Sequence, residues 1–198
     1  MTGLEHFTNV ETLSISSTSM AEIDCSIFPK LTTLKCGSNS SIKKLDISKN
    51  TELVTLDCSG DKIEALDLSN NTKLETAKVN SNNLSVLTLG DNTNLKELNC
   101  YNNKLTELNV SNYTALEILE CSNNKIVNLD LTNNTELKNL TVKSNYELKS
   151  LDITKCTKLT KIDIRYTDLS LQTLMGTKKL IFLTQHAFSL SLQKAYNI

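Results

Sequence analysis

Histidine is almost missing from this chain of 198 residues: there are two, His6 and His186, near opposite ends. Tryptophan is absent, proline occurs once and glycine five times. No glycine-rich phosphate loop is present. No run approaches the ~20 apolar residues of a membrane-spanning helix, so membrane insertion is not expected. The first residues, MTGLEHFTNVE, have neither a basic nor an apolar segment and are not a signal peptide. The expectation is therefore that the protein is cytosolic, that a leader was removed, or that Met1 is not the natural start. Excess charge is lacking as well. Twenty-one Lys and Arg against 22 Asp and Glu give a formal net charge of −1, which exerts no general pull toward nucleic acid or an anionic membrane. Leu, Ile and Val nonetheless recur throughout, and the composition is not that of a disordered chain.

What the chain has is a repeat. From Leu53 it reads LVTLDCSGDKIEALDLSNNTK, LETAKVNSNNLSVLTLGDNTN, LKELNCYNNKLTELNVSNYTA and LEILECSNNKIVNLDLTNNTE, each of 21 residues. The series extends back through units starting at Leu31 and Val10, and forward through Leu137, Leu159 and a partial copy at Leu180. It covers about residues 10–183. Such a period predicts one solenoid in which each turn buries its apolar face only against its neighbours. The whole chain, 1–198, is read as a single domain. The segment from Ser170 loses the period and is expected to terminate the stack.

Each unit opens LxxLxLxxNxL. The LxL core predicts a short strand with alternate residues inward. The Asn sits where the chain must turn, and its amide can serve unpaired backbone groups there. Down the stack this column reads Asn39, Asp61, Asn82, Asn103, Asn124 and Asn145, with Thr18 and Thr167 at the ends. The second half of the unit, as in EALDLSNNTK, predicts another short extended segment rather than a helix. The expected fold is a narrow, curved, right-handed parallel β solenoid. Two units carry one extra residue, in NSSI after Asn39 and NYEL after Asn145. Each is either a tolerated bulge or a binding protrusion.

The six cysteines fit the same register. Cys36, Cys58, Cys100 and Cys121 share position six of the unit with Ile15, Val79, Val142 and Ile164. They are core residues, since a thiol packs as a small hydrophobe. Side chains at equivalent positions of parallel turns project side by side, ~4.8 Å apart, beyond the Cβ spacing of a disulfide, so reduced thiols are expected. There is no CxxC pair, and the two histidines stand about seven rungs apart. No metal site, cofactor or enzymatic centre is expected.

The alternation of LxxLxC with LDLSNNT in 21-residue units resembles the internalin family of bacterial leucine-rich repeat proteins, especially members with a cysteine ladder. TGLEHFTNVETL also resembles an internalin repeat junction. The resemblance implies an α/β leucine-rich repeat fold, horseshoe-like and with little helix. It further implies an extracellular or bacterial cell-surface protein that binds host or matrix molecules through its concave sheet. The family's helical N-terminal cap, immunoglobulin-like domain and sortase motif are not in this sequence, so attachment to a cell wall is not implied.

Function then rests on the outward strand positions. In the first four turns these are mostly small, with Thr12, Thr33, Thr55 and Thr76 at position three. Later turns are larger and charged. Glu97, Asn99, Tyr101, Ile118 and Glu120 are expected to form an acidic, aromatic patch across two turns. Lys143, Lys161, Arg165 and Tyr166 are expected to form a basic, aromatic patch beyond it. Tyrosine and arginine are frequent interface anchors. Tyr101 is either such an anchor or a residue that merely covers the sheet. The expected function is a monomeric recognition module for a protein or glycan ligand, with no nucleic-acid partner. The alternative is a spacer within a longer repeat protein.

Overall fold

The computed structural model describes residues 6–18 and 20–169. The expected termination from Ser170 onward, the partial unit at Leu180 and His186 lie outside the described residues. One parallel sheet of eight strands runs the length of the stack. In spatial order its strands are β1 (Thr12–Ser14), β2 (Thr33–Lys35), β3 (Thr55–Asp57), β5 (Thr76–Lys78), β7 (Glu97–Asn99), β8 (Ile118–Glu120), β10 (Asn139–Thr141) and β12 (Lys161–Asp163). Equivalent repeat positions are in register throughout, for example Thr55↔Thr76 and Asn99↔Glu120.

The second half of each turn, the far side, is extended as predicted. Here β4 (Ala65–Asp67) pairs with β6 (Val86–Thr88), and β9 (Asn128–Asp130) pairs with β11 (Ser150–Asp152). A single bridge, Asp24↔Asp46, continues the pattern toward the N-terminus. No helix occurs among the described residues. The chain is therefore a leucine-rich repeat solenoid whose connections are turns and short strands, because ten residues per half-turn leave no room for a helix.

Between the two sides lies one continuous core. Leu31, Leu53, Leu74, Leu95, Leu116 and Leu137 open successive turns and are fully buried. All six cysteines are free and buried in the same cluster. Burial pushes the Cys100 thiol up to about 12, and the nearby Glu120 carboxylate adds to the effect. Such thiols stay protonated and unreactive at neutral pH. Val79 and Val142 fill the same column with no loss of burial. Cys100→Val should accordingly cost less than about 1.5 kcal/mol in urea unfolding, as volume-conserving core changes do.

The asparagine ladder closes the bend after each strand of the long sheet. Asn124 shows the pattern: its Nδ2 donates to the carbonyls of Cys100 at 3.0 Å and Cys121 at 3.1 Å, and its Oδ1 accepts the Leu105 N–H at 3.0 Å. Asn82, Asn103 and Asn145 repeat it. Just before each ladder residue, position eight takes the left-handed conformation. Ser17, Ser38, Ser81, Asn102, Asn123 and Ser144 have φ between 55° and 62°, and Gly60 has φ 75°.

A second ladder, not foreseen from the sequence, runs along the far side. Asn50, Asn71, Asn92 and Asn134 donate through Nδ2 to backbone carbonyls of the preceding turn at 2.8–3.0 Å. Their Oδ1 atoms are buried and accept nothing. Tyr113 and Cys156 hold the same column in their turns.

Both extra residues fall one turn before a ladder position that is not Asn: Asn39 precedes Asp61, and Asn145 precedes Thr167. The reason is geometric. A ladder Oδ1 accepts the N–H two residues after the preceding ladder position, as Ile63 donates to Asn82. An inserted residue moves that N–H away. In NSSI, Ser40 turns left-handed at φ 60°. The amides of residues 39–42 then surround the Asp61 carboxylate instead. This insertion is a bulge that leaves the Asp61 carboxylate without a hydrogen bond. The second one carries Tyr146, exposed over 68% of its surface.

Candidate functional face

Strand register places five of the nine predicted residues, Glu97, Asn99, Ile118, Glu120 and Lys161, on strands of the long sheet, and Tyr101, Lys143, Arg165 and Tyr166 just past the ends of β7, β10 and β12. Position three gives the row Glu97, Ile118, Asn139, Lys161, and position five the row Asn99, Glu120, Thr141, Asp163. Tyr101, Ser122, Lys143 and Arg165 follow at position seven. Backbone bonds there link Asn102 N–H to the Ser122 carbonyl, Asn123 N–H to Lys143 and Ser144 N–H to Arg165. The two predicted patches are thus ends of one face that passes from acidic and aromatic to basic and aromatic.

Most of its charges are locally matched. Lys78, which sequence reasoning did not assign to the patch, lies 3.4 Å from Glu97. Glu120 accepts the Ser122 N–H at 3.0 Å. The Arg165 guanidinium forks onto Asp163 at 2.9 and 2.6 Å. Arg165 thereby holds the Asp163 carboxyl below its ordinary range. In a strand, residues two apart share a face, so this clamp was available from the sequence. Ser122, expected to point outward, is only 4% exposed, and its hydroxyl is unpartnered.

The aromatic groups remain open. Tyr101 is 41% exposed, with its N–H on the Asn99 side chain at 3.1 Å. Tyr166 is 53% exposed, and the Lys143 ammonium stands 5.7 Å from its ring centre. That distance is within cation–π range. Tyr166 also sits at position eight with φ 58°, where other turns use Ser, Gly or Asn. A left-handed backbone costs an ordinary L-residue about 1–2 kcal/mol.

On the far side the regular pairing fails at turn five. Glu107, Leu108 and Asn109, the equivalents of β4 and β6, belong to no strand. A cleft of about 650 Å³ opens there, lined among others by Val86, Glu107, Tyr113 and Asp130. Tyr113 occupies the second-ladder column and donates its hydroxyl to the Gly90 carbonyl at 2.5 Å. Burial, with Asp91 nearby, pushes that phenol up to about 12. Gly90 has φ 65°, and a Cβ there would come 2.5 Å from Ser69 Cα. Only glycine fits that position.

No family model matches the chain, and no curated protein is similar enough to match. Solved structures do match. The functional domain of InlJ from Listeria monocytogenes, described as including a cysteine ladder, shares 25% identity over 84% of this chain and 56% of its own, with a TM-score of 0.59. A leucine-rich repeat protein of Leptospira interrogans superposes with a TM-score of 0.76 at 20% identity, over 85% of this chain and 46% of its own. The leucine-rich repeat ectodomain of a plant receptor kinase from Arabidopsis thaliana was solved in complex with Casparian strip integrity factor 2. It gives 0.62 at 17% identity, over 84% of this chain and 25% of its own. This chain spans about half the length of the first two. In fold, and in the cysteine-bearing repeat that builds it, the chain is similar to the leucine-rich repeat structures of internalins.

Proposed function

We propose that the chain is a non-enzymatic recognition module that binds a protein or glycan ligand across the long sheet, in a bacterial secreted or surface protein. Glu97, Asn99, Tyr101, Ile118 and Glu120 contact one part of the ligand, and Lys143, Lys161, Arg165 and Tyr166 another. The observation that carries this reading is Tyr166. A bulky residue in a left-handed turn is disfavoured, and strain of this kind collects at functional sites. Here the strained residue is exposed and stands beside a cation. The plant receptor ectodomain, solved with its factor bound, supports the general role of such solenoids as ligand platforms.

Tyr166→Asn separates the two roles of the residue. The variant should gain about 1 kcal/mol in urea unfolding, because Asn tolerates the left-handed turn. It should also bind at least tenfold more weakly to a ligand captured from an array of surface proteins and glycans. Tyr101→Ala should weaken binding similarly. Unchanged affinity in both variants would remove the face from consideration.

A spacer reading draws on a different observation. Thr12, Thr33, Thr55 and Thr76 lie in register along the first four strands and form a row of small, uncharged side chains. If the folded chain binds nothing on the array, this reading replaces the first.

A further inference from the structure

Turn five interrupts the far side in a way that looks built rather than frayed. In the turn before, the Leu68 N–H bonds the Thr88 carbonyl and the Ser85 N–H bonds the Glu64 carbonyl. The corresponding bonds from Leu89 and Thr106 are missing, and the backbone of Glu107–Asn109 makes no backbone hydrogen bond among the described residues. The cause is in the second ladder. An Asn amide spans adjacent turns directly, whereas the Tyr113 ring is longer and reaches across to Gly90. Gly90 in turn can approach Ser69 only because it lacks a Cβ. Two complementary substitutions in adjacent turns therefore replace the amide bridge by a longer side-chain tether.

β6 is left with one edge paired to β4 and the other open toward turn five. Open edges of this kind accept a further strand. Val86 stands at this edge, exposed over 54% of its surface, in a position the equivalent turns fill with Ala65, Asn128 and Ser150. The residues lining the cleft include two carboxylates, Glu107 and Asp130, and no cation.

We infer that this break is a docking groove for an extended, cationic peptide segment of a partner. The segment pairs its backbone with the open edge of β6, lays a small apolar side chain on Val86, and sets lysine or arginine against Glu107 and Asp130. The groove is on the far side, so its use is independent of the face proposed above.

The probe is an acetylated, amidated octapeptide of alternating lysine and valine, titrated by fluorescence anisotropy at physiological salt. Binding is expected, at least tenfold tighter than for the glutamate–valine counterpart. N-methylation of alternate peptide amides should abolish it, because the strand bonds are then lost. Tyr113→Asn restores the ladder amide in place of the tether and should weaken binding at least tenfold. Should that variant misfold, Val86→Lys puts a repelling charge at the edge without touching the core, and the same loss is expected. Amide exchange at Leu87 and Leu89 should slow when peptide is added. Tyr101→Ala and Tyr166→Asn should change nothing. The inference is overturned if no binding is seen at millimolar peptide, or if the N-methylated peptide and the Tyr113 and Val86 variants bind as the wild type does. A dimer in sedimentation that occupies the groove and resists the peptide would also overturn it, with a second copy as the occupant.

Discussion

Asn124→Ala is expected to lower the unfolding free energy by about 3 kcal/mol, and Asn134→Ala by only about 1 kcal/mol, although both side chains are buried ladder amides. The difference follows from what each leaves behind. Asn124 accepts the buried Leu105 N–H, and no other group replaces it. An orphaned buried donor costs about 1–3 kcal/mol, to which the lost Nδ2 bonds and a small cavity add. The carbonyls of Cys100 and Cys121 suffer less, because each also receives a second ladder amide: Asn103 of its own turn for Cys100, and Asn145 of the next turn for Cys121. Asn134 accepts nothing through Oδ1. The carbonyls it serves, of Val110 and Tyr113, keep the N–H groups of Tyr113 and Leu116. Its removal therefore orphans no donor. Urea titration of both variants reads the contrast directly. Equal losses would mean that the ladders act by filling space rather than by satisfying the backbone. A fall in the urea slope for Asn124→Ala would mean that the stack had split into separately melting halves at that turn.

The front of this molecule was open to reading because a 21-residue period fixes which side chain points where. Cys100 and Cys121 fall in a column with valine and isoleucine, and are buried with them. Tyr101 and Tyr166 fall outside the core columns and are exposed. Register then did what sequence alone could not: it merged two patches into one face and put Lys78 beside Glu97. The charges that flank the long sheet's turns are similar in kind. Glu52–Lys73, Glu75–Lys96, Glu117–Lys138 and Glu136–Lys158 pair across neighbouring turns at 2.5–2.8 Å. All are exposed and screened, so they tune register more than stability.

The far side was harder. Its ladder was hidden in the NNT segments, where Asn reads as an ordinary turn residue. The signal was a column of Asn50, Asn71, Asn92 and Asn134, and the exceptions in that column were the informative residues. Tyr113 is one, and the cleft lies beside it. The left-handed bends were equally concealed. A column of Ser, Gly and Asn permits positive φ but does not demand it. Tyr166 stands out only once the bend is seen.

Asp61→Asn is expected to stabilise the protein by about 2 kcal/mol at neutral pH, the second largest effect. Asp61 is the one carboxylate in the first ladder, buried with both oxygens unpartnered. Two influences compete for it. Desolvation disfavours the charged form, and the backbone amides of Ile42, Asn39, Ser40 and Ser41 favour it. None of those amides reaches hydrogen-bonding geometry. Desolvation therefore prevails and the carboxyl is raised above its ordinary value. The sign of the pH dependence follows. The native state binds this proton more tightly than the unfolded chain, so its contribution is fully present below the unfolded value near 3.8 and is lost as pH rises through the folded value. Asp46, Asp67, Asp130 and Asp152 are held low by backbone and side-chain donors and act in the opposite sense. The wild-type curve alone would mix the two. The difference between wild type and Asp61→Asn isolates the one group: it should be small near pH 4 and grow toward neutrality. An amide at this position also regains a donor for the Cys36 and Cys58 carbonyls, as in Asn82 and Asn103. A difference that shrinks with rising pH would mean that the amides of the NSSI bulge, not burial, govern Asp61, and that the inserted residue is there to hold a charge.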